Sequence, residues 1–267
     1  MNSSGYAFIT LVESVLRQNP AFAAGLEQRA AWAQGKGCGS FTVAHEINVV
    51  AALLPMLPRL VIDVGAHIGD YTAGLRRRFP DAEIHSFEPC QTNVAKLHSR
   101  FDDDARIAIV PYGLSDRKGS AKLFSDHAGS GLASLTRRNL EHFNISFSNE
   151  EMVCTIRFAD YWREVLHERQ IDLLKLDIEG HELAALHGCG NAIANIAIVQ
   201  FEFGGCNIDT RTFFRDFWSF FSDLKWSLYR ITPSGAMTIA RYTEMDEFFS
   251  TTNFVATNPI FLRKRST

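Results

Sequence analysis

The side chains best suited to chemistry lie in Lys175-Leu176-Asp177-Ile178-Glu179-Gly180-His181-Glu182, at the end of an apolar run that begins at Ile171. Strand alternation puts Lys175, Asp177 and Glu179 on one side and Leu174, Leu176 and Ile178 on the other. Three charges in a strand that should be buried are costly unless they are paired or used. One reading is a structural ion-pair cluster with Glu182 as the acid of a helix start. The other is a reactive edge, because open α/β sheets bind ligands beyond the carboxyl ends of their strands. Glu202, at the end of the next apolar run, is expected to project into the same crevice.

A second segment, Val61-Ile62-Asp63-Val64-Gly65-Ala66-His67-Ile68-Gly69-Asp70-Tyr71-Thr72, reads as an apolar strand, a glycine-containing turn and a helix. Such a turn lets backbone approach a ligand closely and presents the N–H groups of a helix start. A dinucleotide fingerprint requires glycine at positions 65, 67 and 70. Those positions hold Gly65, His67 and Asp70, so the fingerprint fails twice. The turn acid-x-G-x-G-x-G fits better: Asp63, Gly65 and Gly69 match, and only His67 departs. Histidine is among the residues enriched in left-handed backbone. A glycine-rich connection with no ligand is the plain alternative.

The third signal is Phe87-Glu88-Pro89, 25 residues beyond Asp63 and so one βαβ step away. A carboxylate ending that strand is able to accept hydrogen bonds from both hydroxyls of a ribose held at the first turn. An isolated strand-terminal glutamate is usually just solvated; here the two signals reinforce each other.

These residues need a parallel sheet with crossover helices to position them. The expected strands are Leu60–Val64, Glu83–Phe87, Ile107–Pro111, Ile171–Asp177 and Ile196–Phe201, and the continuous Val/Ile/Leu content of several suits burial on both faces. Helices are expected over Asp70–Phe79, Gln91–Arg100, Asp160–Glu168 and Glu182–His187. The stretch from Gly119 to Val153 is poorly patterned and reads as a hairpin followed by a mobile loop. Beyond Phe203 come an aromatic helix (Phe213, Phe214, Phe217, Trp218, Phe221) and strands near Trp226–Ile231, Met237–Tyr242 and Phe254–Ala256. The aromatic stripe has helical spacing, which makes it core.

Ahead of the sheet, Phe8, Leu11, Val12, Val15 and Leu16 recur at helical spacing. The Gly35–Gly39 break separates them from a second apolar helix, His45–Leu57, closed by Pro55 and Pro58. The expected division is a helical extension over residues 1–58 and an α/β domain over 59–267. A chain of 267 residues buries an adequate core without staples. The net charge of −3 gives no electrostatic reason to expect nucleic acid as partner. Arg76-Arg77-Arg78 reads as the solvated end of a helix.

Cys38, Cys90, Cys154, Cys189 and Cys206 are odd in number and widely spaced, which argues against a disulfide framework and suits a reducing cytoplasm. Ala21-Phe22-Ala23-Ala24 faintly resembles a signal-peptidase site, but Glu13 and Arg17 interrupt the stretch before it. No run approaches the roughly 20 apolar residues of a membrane span, so no membrane partner is expected.

Together these segments resemble the FkbM-type family of S-adenosylmethionine-dependent methyltransferases. The resemblance covers Leu60 to Ala256. It rests on the Val61–Gly69 turn, on Phe87-Glu88-Pro89, and on the signature K-x-D-x-E-G-x-E, met by Lys175, Asp177, Glu179, Gly180 and Glu182. Gly113-Leu114-Ser115-Asp116 is similar to the family's segment near the adenine. The resemblance implies a Rossmann-like methyltransferase fold with S-adenosyl-L-methionine against Asp63, Gly65, His67, Gly69, Glu88, Leu114 and Ser115. It also implies O-methylation of a small-molecule or saccharide acceptor, such as a sugar or polyketide hydroxyl, with Asp177 or His181 taking or relaying the proton beside Glu179. By analogy with related sugar O-methyltransferases, Asp177, Glu179 and Glu202 offer oxygen ligands to Mg2+. A nicotinamide-dependent oxidoreductase and a non-catalytic nucleoside-binding protein stand as alternatives.

Overall fold

The computed structural model describes residues 12–37, 39 and 42–262; Phe8, Leu11 and Cys38, noted above, lie outside them. Strands β1 (Leu60–Val64), β2 (Glu83–Phe87) and β3 (Ile107–Val110) come first. Strands β4 (Gly113–Leu114), β5 (Gly119–Ser125) and β6 (Asn149–Ile156) form a small separate sheet in the order β4-β6-β5. Strands β7 (Ile171–Leu176), β8 (Ile196–Phe203), β9 (Ser227–Thr232), β10 (Gly235–Ile239) and β11 (Thr252–Thr257) complete the main sheet. Its order is β10-β9-β11-β8-β7-β1-β2-β3. From β8 through β7 and β1 to β3 all pairings are parallel, and β11 enters antiparallel between β8 and β9.

This is a three-layer, Rossmann-like α/β arrangement. One face of the sheet presents Ile62, Val64, Leu174, Leu176, Val199 and Phe201 to the helices Phe158–Glu164, Glu182–Gly188 and Phe214–Asp223. The other presents Val61, Ile84, Leu173, Ile198 and Val255 to the helices Val43–Leu53 and Asp70–Arg78. Every residue of β1, β7 and β8 is buried, as their predominantly apolar content suits, and the polar side chains among them are buried too. The aromatic stripe is core: Phe214, Phe217 and Phe221 pack against Phe201, Phe203 and Phe254.

The chain leaves β1 outward through β2 and β3, then returns to β7 on the other side of β1. That reversal opens a crevice between the carboxyl ends of β1 and β7. The crevice therefore lies between the Gly65 turn and the loop that follows Leu176.

Several expected boundaries shift. The second N-terminal helix ends at Leu53, because Leu54 is extended (ψ 134°) ahead of Pro55, the conformation proline imposes on its predecessor. Its Ile47, Val49 and Val50 share a core cluster with Val61, Leu173 and Ile198, so the packing is continuous across residue 58. The helix expected over Asp160–Glu168 runs from Phe158 to Glu164; His167 and Glu168 turn left-handed (φ 50° and 57°), which an α-helix does not tolerate. Within Gly119–Val153 the hairpin is present as β5 against β6, joined by a connection that folds back over the crevice. No helix among the described residues is long and apolar enough to cross a membrane.

Candidate active site

The turn after β1 is built from left-handed backbone. Gly65, His67 and Gly69 have φ of 78°, 51° and 88°. A Cβ on Gly65 would stand 1.9 Å from the Asp177 carbonyl oxygen, and one on Gly69 would stand 2.4 Å from the Phe101 ring. His67 takes the position of the missing glycine by adopting the left-handed conformation itself, and its Nε2 bonds the Gly129 carbonyl at 3.0 Å. Gly65 and Ala66 donate their N–H groups to the Phe87 carbonyl. The Glu88 carboxylate accepts from the His67 N–H and the Cys90 N–H, each at 2.9 Å.

Behind the turn a polar row crosses the sheet. Ser86, Asp63, Lys175 and Gln200 are register partners on β2, β1, β7 and β8. Thr72 Oγ1 donates to Asp63 Oδ2 at 2.7 Å and bonds Ser86 Oγ at 2.8 Å. Lys175 Nζ, fully enclosed, lies 3.4 Å from Asp63 Oδ1, 3.3 Å from Asp177 Oδ2 and 3.4 Å from the Gly65 carbonyl. Flanking carboxylates hold its ammonium charged against the cost of burial. The structure thus turns Asp63 onto Thr72 and Lys175, behind the turn and not among the residues that line the cavity.

The crevice is a cavity of about 580 Å³, counted with the space open to solvent. One wall is Gly65 and His67, the next Glu88 and Pro89, the next Tyr112, Gly113 and Leu114; Asp177, Glu179 and His181 close the far end. Ser130, Gly131, Ala133 and Leu135 roof it from the β5–β6 connection. Of the pair expected near an adenine, Leu114 lines the cavity and Ser115 does not. Ser115 Oγ instead donates to Asp116 Oδ1 and meets His181 Nε2 at 3.0 Å, so the serine orients the imidazole. Gly69 also stays off the wall; it spaces the turn against Phe101. Burial lowers the His181 pKa below its usual 6.5, leaving a neutral ring at pH 7.

Strand alternation stops at Asp177. Glu179 is left-handed (φ 53°) and swings away from the Lys175 side toward Arg138, which pairs with its carboxylate. Arg138 Nε also lies 3.7 Å from Asp209 Oδ2. Glu182 is wholly buried and staples the turn, its Oε1 accepting from Ile178 and Gly180 N–H at 2.8 and 3.2 Å. Lys175 is therefore held in an ion-pair cluster and Glu182 is a structural acid bonded to backbone, while Asp177 and Glu179, though paired with Lys175 and Arg138, reach the cavity together with His181. Burial pushes the Glu88 and Glu182 carboxyls up to about 7 and, with help from Asp177, that of Glu179 to about 8.

The oxygen ligands expected for Mg2+ do not assemble. Asp177 is taken by Lys175, whereas Glu179 and Glu202 converge with the Cys206 thiol, their ligand atoms within 4.8 Å of one another. A thiol is a poor partner for Mg2+, and burial among acids drives both the Glu202 carboxyl and the Cys206 thiol toward their protonated forms. The donor set does not fit that ion. Cys90, Cys154, Cys189 and Cys206 are all free thiols.

Sequence reasoning missed Arg138, which meets Glu179 across 41 residues of separation from a stretch with no pattern. It also missed Glu46, Tyr71 and Gln200, which read as ordinary helix and strand residues. Gln200, a second polar residue beside Glu202 in the strand Ile196–Phe203, was the one available signal.

The fold and these motifs define an FkbM methyltransferase domain: that domain matches residues 63–227, and the chain belongs to the family. Methyltransferase 1 of Beauveria bassiana (strain ARSEF 2860) is 23% identical over 144 residues, covering 48% of this chain and 57% of that protein. Methyltransferase sdnD of Sordaria araneosa is 26% identical over 183 residues, covering 58% and 70%. This chain thus matches little more than half the length of the first relative. Among solved structures it is similar to precorrin-6y C5,15-methyltransferase of Geobacter metallireducens GS-15 (9% identity, 79% of this chain and 85% of that one, TM-score 0.40).

Proposed function

We propose that this protein transfers the methyl group of S-adenosyl-L-methionine to a hydroxyl oxygen of a small-molecule acceptor, a sugar, polyketide or related metabolite. One observation carries the reading. A single cavity joins the left-handed turn at Gly65 and His67, the Glu88 carboxylate and the Asp177–His181 loop, at the reversal point of the sheet. The Gly65 turn and Glu88 take the methionine and ribose portions, and the Tyr112–Leu114 wall takes the adenine.

The sulfonium methyl is already activated, so the protein's task is to align the acceptor oxygen behind it. Alignment alone supplies roughly 7–11 kcal/mol of the barrier. The acceptor proton passes to Asp177 or, through the neutral ring, to His181; Arg138 holds Glu179 beside them. An acid-lined mouth and a net charge of −3 favour a small acceptor over nucleic acid.

The test is calorimetric titration of the protein with S-adenosylhomocysteine and with NAD(H). S-Adenosylhomocysteine should bind and NAD(H) should not; the reverse result replaces this reading with that of an oxidoreductase. Binding without transfer to any hydroxylated acceptor would leave a nucleoside-binding protein. Asp177→Asn and His181→Ala should each lower turnover with binding intact, and full turnover in both removes these two residues from proton transfer.

A further inference from the structure

Glu46 lies on the helix Val43–Leu53, ahead of the matched family domain, and is 8% exposed. Its Oε2 accepts from Gln200 Nε2 at 2.9 Å. The other end of that amide, Gln200 Oε1, accepts from the Tyr71 hydroxyl at 2.5 Å. The Tyr71 ring carries the Lys175 ammonium over its face, 5.1 Å from the centroid. Lys175 in turn contacts Asp63, Asp177 and the Gly65 carbonyl.

The relay has a fixed direction. An amide has a donor end and an acceptor end. With Glu46 Oε2 as the acceptor, Gln200 points its NH2 there and its carbonyl at Tyr71. The phenol is then the donor, tethered at its oxygen while its ring face lies under Lys175. Gln200 is 1% exposed and Tyr71 6%, so neither finds water as a substitute partner.

We infer that Glu46 is a positioning residue of the site: through Gln200 and Tyr71 it fixes the Lys175 ammonium between the Gly65 turn and Asp177. That this matters for cofactor binding rests on the proposed function. The N-terminal segment is then part of the machinery.

Three variants of the full chain test it: Glu46→Leu removes the acceptor, Glu46→Gln keeps an accepting oxygen, and Ile47→Ala loosens the same helix without touching the relay. The readouts are the ammonium resonance of Lys175 in 15N-lysine protein, assigned with Lys175→Met, and the affinity for S-adenosylmethionine. Glu46→Leu should abolish the protected ammonium signal and weaken binding by about tenfold, the scale of one net hydrogen bond. Glu46→Gln should restore both, and Ile47→Ala should leave both in place while lowering the melting temperature. An unchanged Lys175 signal in Glu46→Leu, or equal losses in Ile47→Ala, overturns the inference. If the wild type binds no S-adenosylmethionine while Glu46→Leu still alters Lys175, the relay stands and the proposed function falls.

Discussion

The His67 backbone N–H donates to Glu88 Oε2 at 2.9 Å, which makes the turn after β1 and the end of β2 one hydrogen-bonded unit. Whatever binds the turn therefore also meets the carboxylate, and the carboxylate cannot be altered without disturbing the turn.

Glu88→Gln should weaken S-adenosylhomocysteine binding by at least about tenfold, because one of the two backbone donors would face an NH2 group at a cost of about 1–3 kcal/mol. With its pKa raised to about 7, the wild-type carboxyl gains a proton as pH falls through neutrality and loses acceptor capacity for ribose hydroxyls. Affinity should fall from pH 8 to pH 6 in the wild type and stay flat in the variant. Calorimetry at both pH values decides; equal affinity of the two proteins would remove Glu88 as the ribose partner.

Gly65→Ala places a Cβ 1.9 Å from the Asp177 carbonyl and demands a positive φ of a side-chain-bearing residue. Backbone strain plus overpacking should cost at least about 2 kcal/mol in urea unfolding. The same shift should abolish cofactor binding, and a variant that binds normally would mean the turn is not the contact.

Stability should fall as pH rises from 5.5 to 8.5. Glu46, Glu88 and Glu182 titrate near 7 and Glu179 near 8 in the folded protein, against 4.5 unfolded. Between those values the folded state keeps protons that the unfolded chain has released, and linkage then favours unfolding as pH increases. His181, lowered from 6.5, acts in the opposite sense, as one group against these four and Glu202, whose carboxyl burial also raises. Thermal unfolding across this range should give its highest midpoint at the acid end; a midpoint that climbs with pH contradicts the burial of these acids.

Exhaustive chelation, and Mg2+ added back, should each leave methyl transfer unchanged. Asp177 is committed to Lys175 and the remaining acids meet a thiol. Loss of turnover on chelation with recovery in Mg2+ would show that the crevice rearranges to bind the ion.

The strands that carry the site were legible because parallel-sheet burial makes strands such as β1 predominantly apolar, and β1 and β2 fall on the expected residues. His67 was legible too: the spacing required left-handed backbone there, and histidine adopts it. The placement of Ser115 and Asp63 off the cavity lining, and the separation of Asp177 from Glu179 and Glu202, were not. Alternation tells which face a residue takes only while the chain stays extended, and at Glu179 it leaves the strand.

From the amino-acid order alone came the fold class, the two glycine positions and the charged loop, because periodicity and left-handed backbone are local properties of the chain. The tertiary structure decided which acid faces the cavity, which one serves Lys175 and which one bonds Arg138. Those outcomes depend on contacts between segments far apart in sequence, 41 residues for Arg138 and Glu179 and 175 − 63 = 112 for Lys175 and Asp63, where partners are selected by packing.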